Sequence, residues 1–145
     1  MLDRDWIAAH IPHQGSMCLL DAVLDWSPTR IRCRARQPGA ADHPLRLASR
    51  LGAACGIEYA AQAMAVHGAL LAGNDDPPRQ GYLTSVRAVT LHVDRLDDLP
   101  GDLTISADCL GGESNVLYRF AVHHGADCLL EGRAAVVLDA QSFGG

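Results

Sequence analysis

One carboxylate stands out in this sequence because of the residues around it. Glu58 is the only formally charged residue between Leu51 and Ala72, a segment otherwise rich in alanine. A buried carboxylate without a partner is unfavourable, so Glu58 needs either a structural or a chemical reason to be there. It could cap a backbone group or pair with Arg46 or Arg50, or it could act as a general acid or base, since burial prepares a carboxyl group for proton transfer. The sequence alone leaves both interpretations open.

Three further features near Glu58 could complete a site. Gln62 follows one helical turn later on the same face, where it could orient the carboxylate or only satisfy it. His43 precedes Glu58 by fifteen residues in a loop and could take a proton, but with seven histidines in the chain its placement could be chance. Ala53 and Ala54 are small residues near the start of the predicted helix, where free N–H groups could hold a carbonyl oxygen. Small residues there would also serve tight packing.

The segment that carries Glu58 predicts a long buried helix. Residues 51–72 have no proline and no cluster of β-branched residues, which favours helix, and a helix that is apolar nearly all round is expected to be buried nearly all round. Two strands are predicted before it, at residues 23–26 and 30–36. Alternating patterns and glycine-containing turns predict an antiparallel meander after it, at residues 82–93, 101–110, 115–123 and 127–138. This order predicts an α+β fold with one curved antiparallel sheet wrapped around a central helix.

The second predicted strand has arginines at every other position. Arg30, Arg32, Arg34 and Arg36 alternate with Ile31, Cys33 and Ala35. A period of two places the guanidinium groups on one face of the sheet and the apolar side chains on the other. We interpret the arginine face as ordinary solvated surface.

Length and composition limit the class of protein. A chain of 145 residues is expected to form a single domain, residues 1–145, around one core. No apolar run reaches the roughly 18 residues of a membrane helix and the start lacks the pattern of a signal peptide, so a cytoplasmic protein is expected. The net charge of −5 argues against nucleic-acid binding. Five cysteines without a CxxC pair predict free thiols, and no metal site or cofactor is expected.

Four motifs in order resemble those of a known family. Residues 11–21 (IPHQGSMCLLD) resemble the opening LPHRxPxLLxD motif of bacterial 3-hydroxyacyl-acyl carrier protein dehydratases, and residues 57–62 (IEYAAQ) resemble their IEAMAQ helix motif. Residues 81–83 (GYL) and 99–102 (LPGD) resemble a later strand and a PGD turn of the same family. The likeness runs from about Trp6 to Leu138. The phrases PHxGSMCLLD and GIEYAAQAMAVHG resemble a dehydratase-like subgroup that accompanies type II polyketide and aryl polyene systems.

The resemblance implies a hotdog fold and a reaction mechanism. In the family, a loop histidine removes the α-proton of a 3-hydroxyacyl thioester, and an acidic helix residue protonates the departing hydroxyl. Backbone N–H groups at the helix start polarise the thioester carbonyl. Carried onto this chain, the catalytic residues are His43 and Glu58. The implied substrate-binding residues are Ala53, Ala54, Gln62 and His13, the last being the histidine of the opening motif.

The resemblance also implies partners. Family members are dimers in which the histidine and the acid of one site come from different subunits. This chain is therefore expected to form a homodimer or a heterodimer with another hotdog dehydratase. Its other partner would be an acidic acyl carrier protein, for which Arg46 and Arg50 are the implied contact residues. No cofactor, nucleic acid or membrane is implied.

The loop that carries His43 departs from the family pattern. The family's HFPGxPxMPG is replaced by HPLRLASRLG at residues 43–52, and the spacing from His43 to Glu58 is one residue longer than usual. One residue spans at most ~3.5 Å, and a misplacement of about 1 Å can lower a rate about a hundredfold. Three hypotheses follow: an active dehydratase, a weakly or non-catalytic partner subunit that stabilises one, and an acyl thioesterase in which Glu58 activates water.

Overall fold

The computed structural model describes residues 2–10, 18–35, 52, 55–72, 81–94, 96, 101–112 and 115–138. Within these ranges the chain forms seven strands and two α-helices. In chain order they are β1 (Leu2–Asp3), α1 (Arg4–His10), β2 (Ala22–Ser27), β3 (Arg30–Ala35), α2 (Gly56–Ala72), β4 (Gly81–Leu91), β5 (Leu103–Gly111), β6 (Asn115–His124) and β7 (Asp127–Leu138).

All seven strands join one antiparallel sheet in the order β1-β2-β3-β5-β6-β7-β4. Strands β5, β6 and β7 form the predicted meander. Strand β4 was expected to open that meander, which is wrong, because β4 pairs with β7 at the far edge of the sheet. The reason is the helix between β3 and β4. Because α2 crosses β3, β5 and β6, it carries the chain past these strands, and β4 begins at the edge of the sheet beyond them.

The core lies between α2 and one face of the sheet. Alternate residues of the central strands point into it, so that Val116, Tyr118, Phe120 and Val122 of β6 are buried while most of their neighbours are not. The same period of two buries Ile31, Cys33 and Ala35 of β3, as predicted. From the helix side, the core receives mainly small side chains, which let the helix approach the sheet closely. They include Ala60, Ala63 and Val66.

The long helix is less enclosed than its composition predicts. Glu58, Ala61, Ala65 and Gly68 are half-buried and follow one another at helical spacing, so they form a stripe along α2 that the sheet does not cover. Near the end of the helix, the side chain of Leu71 is 48% exposed. The prediction of burial nearly all round is therefore wrong for this face. The segment begins as α-helix at Gly56, and Leu51, Ala53 and Ala54 lie outside the described residues.

Two buried polar side chains tie the elements together. His67 of α2 is fully buried, and its Nε2–H donates to the carbonyl oxygen of Ser27 at 2.8 Å. Its Nδ1 lies 2.7 Å from the hydroxyl of Tyr118, which donates to it in the neutral tautomer. Asp21, from the opening motif, is buried and forms an ion pair with Arg4 of α1 at 3.5 Å. The aspartate of that motif therefore anchors the first helix to the sheet.

The arginines of β3 are matched by acidic side chains, as expected of a solvated sheet surface. Arg30 pairs with Asp108 at 3.5 Å, Arg34 lies 3.9 Å from Asp102, and Arg32 pairs with Asp25. The five cysteines are all free thiols. In the described part of the chain, no helix is both long and apolar enough to cross a membrane.

Candidate functional site

Glu58 is held from one side by a hydrogen-bonded chain that starts in the opening motif. The backbone N–H of Leu19 donates to Oε1 of Gln62 at 2.8 Å. At the other end of the same amide, Nε2 of Gln62 donates to Oε1 of Glu58 at 3.4 Å. Gln62 is fully buried, whereas Glu58 is half-buried. The helix spacing of four residues, predicted from the sequence, therefore brings the amide and the carboxylate into contact.

The orientation of the Gln62 amide follows from its first partner. A backbone N–H can only donate, so the amide atom that faces Leu19 must be the oxygen. The NH2 group then faces Glu58, and it can donate only if the carboxyl oxygen accepts. The amide of Gln62 therefore links Glu58 to the backbone N–H of Leu19.

The surroundings of Glu58 suit proton transfer with a ligand. The residue lies in the first turn of α2. It also lies on the half-exposed stripe of the helix, so a molecule outside the core can approach it. A half-buried carboxyl group that a neighbouring amide contacts can donate or accept a proton.

The other predicted site residues remain predictions. His43, His13, Ala53, Ala54, Arg46 and Arg50 all lie outside the described residues. Of the predicted site, the structure thus brings together Glu58 and Gln62. It adds the N–H of Leu19, which sequence reasoning missed because a backbone donor leaves no mark in residue type.

A second feature that sequence reasoning missed is a groove on the outer face of the sheet, beside β4. It has a volume of about 480 Å³, and its lining includes Thr84, Ser85, Arg87, Leu110, Leu117 and Arg133. Arg133 of β7 is directly opposite Arg87 on one side and Arg119 on the other. Within the described residues, no ion pair joins any of these three arginines to an acidic side chain, although Asp108 of β5 is the register partner of Arg119. They form a basic row that only the strand register creates.

Comparison with solved structures identifies the fold as a hotdog. One chain of the dehydratase heterocomplex ApeI:P from Xenorhabdus doucetiae superimposes with a TM-score of 0.77 at 22% identity, over 94% of this chain and 92% of that one. A mutant thioesterase from Pseudomonas aeruginosa gives 0.67 at 9% identity, over 94% of each chain. A mutant of the fluoroacetyl-CoA-specific thioesterase FlK gives 0.58 at 16% identity, over 82% of this chain and 93% of that one. The predicted α+β hotdog fold is confirmed.

The chain belongs to the ApeP-like family, described as ApeP dehydratase, whose model matches residues 6–143. It is therefore a dehydratase-like hotdog protein, and the resemblance found in its motifs is confirmed. No curated protein matches the chain significantly.

Proposed function

We propose that this protein dehydrates 3-hydroxyacyl chains carried as thioesters on acyl carrier protein, in fatty-acid or polyketide biosynthesis such as that of aryl polyenes. His43 removes the proton from the α-carbon, and the electron pair left behind forms the new double bond. The hydroxyl leaves from the β-carbon with a proton from Glu58, as water. The N–H groups near Ala53 and Ala54 hold the thioester oxygen, on which negative charge develops during the reaction.

The observation that carries this proposal is the half-buried carboxyl group of Glu58 and its hydrogen bond with Gln62. A general acid must keep its geometry while it exchanges a proton. Leu19 and Gln62 provide that geometry for Glu58. Because the fixing partners come from the two motifs that resemble the dehydratases, the site and the family membership support each other.

Two exposed features support a paired subunit. Strand β4 lies at an edge of the sheet and is eleven residues long, and a long edge strand offers unpaired backbone groups to a neighbour. Leu83 and Leu91 of this strand are 41% and 47% exposed. Together with the half-exposed stripe of α2, they suit a second hotdog subunit. Since the solved ApeI:P structure is a heterocomplex of dehydratases, a heterodimer is the assembly we propose first, with a homodimer as the other candidate.

The basic row supports the binding of an acidic acyl carrier protein. Like charges directly opposite one another in a sheet are destabilising, and Arg87, Arg133 and Arg119 form two such pairs. A partner that supplies carboxylates would relieve this repulsion, and charge complementarity of this kind speeds association. Arg46 and Arg50 stay the contact residues predicted from the resemblance.

The central test is turnover by purified protein, with the acyl product identified by chromatography. Glu58→Ala and His43→Ala are each expected to lower kcat by about 10²–10⁴-fold, the usual contribution of general acid–base catalysis. Asp25→Asn is the matched control, because it removes an exposed carboxylate that pairs with Arg32 on the sheet surface. If both site variants keep wild-type rates, the assignment of the site is wrong.

A second experiment distinguishes the roles of the subunit. The chain is assayed alone and after co-expression with a second hotdog dehydratase. Turnover by the chain alone identifies an enzyme that is active by itself, whereas turnover only in the complex, retained when Glu58 is changed to Ala, identifies a non-catalytic partner. Release of free acid instead of an enoyl thioester would identify a thioesterase and contradict the proposal.

The carrier contact is tested by comparing two substrates. Arg87→Glu and Arg133→Glu should raise KM for a carrier-bound substrate and leave KM for a small synthetic thioester unchanged. Arg32→Glu is the control, since Arg32 is already paired with Asp25. Equal effects of all three variants, or effects on both substrates, would contradict a docking role for the basic row.

A further inference from the structure

Three side chains with different metal-binding atoms meet on the outer face of the sheet. His92 follows β4, while Cys128 and Glu131 belong to β7. One donor atom from each lies within 4.8 Å of the other two. Nε2 of His92 is 3.1 Å from Oε2 of Glu131, and Sγ of Cys128 is 3.4 Å from the same oxygen. The sequence gives no sign of this cluster, because 36 positions separate the histidine from the cysteine.

Two of these three separations match the edges of a tetrahedral metal site, and the third lies within 4.8 Å. Zinc binds nitrogen and oxygen at about 2.0–2.2 Å and thiolate sulfur at about 2.3 Å, which places neighbouring ligand atoms roughly 3.3–3.6 Å apart in a tetrahedron. The two measured separations lie within a few tenths of an ångström of that range. Imidazole, thiolate and carboxylate are also the three ligand types that zinc accepts.

The backbone fixes the two segments that supply the ligands. The N–H of His92 donates to the carbonyl oxygen of Leu129 at 2.8 Å, directly beside Cys128. The preceding pair, Leu91 with Leu130, is in the sheet register. Little backbone movement is therefore needed to close the three side chains around an ion. The side chains of His92 and Glu131 are 43% and 53% exposed, so an ion can enter from solvent.

A fourth position is available next to the cluster. His123 of β6 is the register partner of Cys128, and its charge acts on Glu131. The fourth ligand would be this imidazole or a water molecule. Zinc binds cysteine as the thiolate, so binding must release the thiol proton.

We propose that His92, Cys128 and Glu131 form a zinc site that fastens the end of the edge strand β4 to β7. The site is separate from Glu58 and does not depend on the proposed dehydratase activity. It would hold the ion with three protein ligands and one further position, and the ion would replace the hydrogen bonds that Glu131 makes with His92 and Cys128.

The test uses the full-length protein, stripped of metal and titrated with Co²⁺ and Zn²⁺. We expect one equivalent of Co²⁺ to give the near-ultraviolet charge-transfer band of a cobalt thiolate, and Zn²⁺ to displace it. Zinc binding should release a proton and raise Tm. Each of three ligand variants should weaken zinc binding by at least about tenfold: His92→Ala, Cys128→Ser and Glu131→Gln. Changing a residue that only hydrogen-bonds to a metal ligand already lowers metal affinity about 10–100-fold, so the loss of a ligand should cost at least as much.

Cys109→Ser is the matched control, because Cys109 is also a half-buried free thiol, on β5. It should bind Zn²⁺ like the wild type. The absence of saturable binding, a cobalt band that survives Cys128→Ser, or affinity unchanged by His92→Ala would overturn the proposal. Circular dichroism of each variant without metal establishes that loss of binding does not reflect loss of folding.

Discussion

Replacing Gln62 by leucine tests whether a buried amide positions the carboxylate of Glu58. Gln62→Leu keeps a similar volume but removes the hydrogen bonds that the amide makes with Leu19 and Glu58. The N–H of Leu19, which is buried, would lose its acceptor, and a buried unsatisfied donor destabilises by about 1–3 kcal/mol. In a domain of this size, each kcal/mol lowers Tm by roughly 3–4 °C. We therefore expect Tm to fall by about 3–12 °C.

The same change should reduce catalysis more than a purely structural defect would. A carboxylate freed from Gln62 can rotate away from its working position, and a displacement of about 1 Å lowers a rate about a hundredfold. We expect kcat to fall by about that factor while KM changes little, because Gln62 is fully buried. Measuring kcat well below Tm separates this effect from unfolding.

Gln62→Glu is the informative companion variant. It keeps an oxygen to accept from Leu19 but places a second carboxylate beside Glu58, where two like charges disfavour each other. Its stability relative to the wild type should recover at acidic pH, when one carboxyl group of the pair gains a proton and can donate to the other. Gln62→Leu should show no such recovery. A wild-type Tm and kcat for Gln62→Leu would refute the positioning role.

Three further predictions concern the fold. Burial lowers the pKa of His67 from its ordinary value of 6.5, so below about pH 6.5 the unfolded chain binds a proton that the folded chain does not. The free energy of unfolding should therefore fall as the pH drops from 7 to the lowered pKa, by at most ~1.4 kcal/mol per pH unit. Urea unfolding of the wild type and of His67→Gln at several pH values measures this effect. If the difference in unfolding free energy between the two proteins stays constant with pH, the prediction is contradicted. A Cβ at Gly132 would lie 2.9 Å from Cζ of Phe120, so Gly132→Ala should destabilise by about 1–3 kcal/mol in thermal unfolding, and Phe120→Leu should relieve part of the loss. Ala88 has a φ of 53° at the bulge in β4, so Ala88→Gly should stabilise by up to about 1 kcal/mol, whereas a lower Tm would show that this backbone is not strained.

The elements were predictable because their signals are local. The alanine-rich segment predicts α2, and the alternation of Ile31, Cys33 and Ala35 predicts which face of β3 is buried. The contact between Glu58 and Gln62 also follows from local sequence, since helical residues four apart are neighbours. Each of these outcomes depends on spacing within one element.

The features that could not be predicted depend on which elements become neighbours. The position of β4 beside β7 follows from the path of the helix across the sheet, and no pattern within residues 81–91 records it. Only the register of three strands brings Arg87, Arg119 and Arg133 into one row. The half-exposed stripe of α2 was not predicted for a related reason. Alanine and glycine are equally compatible with a core and with a partly exposed surface.

The central claim is that Glu58 delivers the proton with which the hydroxyl leaves. The most direct measurement is the mass of the acyl group that remains on acyl carrier protein after incubation with the protein. Wild-type protein is compared with Glu58→Gln, and each is co-expressed with a second hotdog dehydratase. The wild type should convert the 3-hydroxyacyl chain to a product lighter by one water that stays attached to the carrier, and Glu58→Gln should leave the chain unchanged. Loss of water at the same rate with Glu58→Gln would contradict the account.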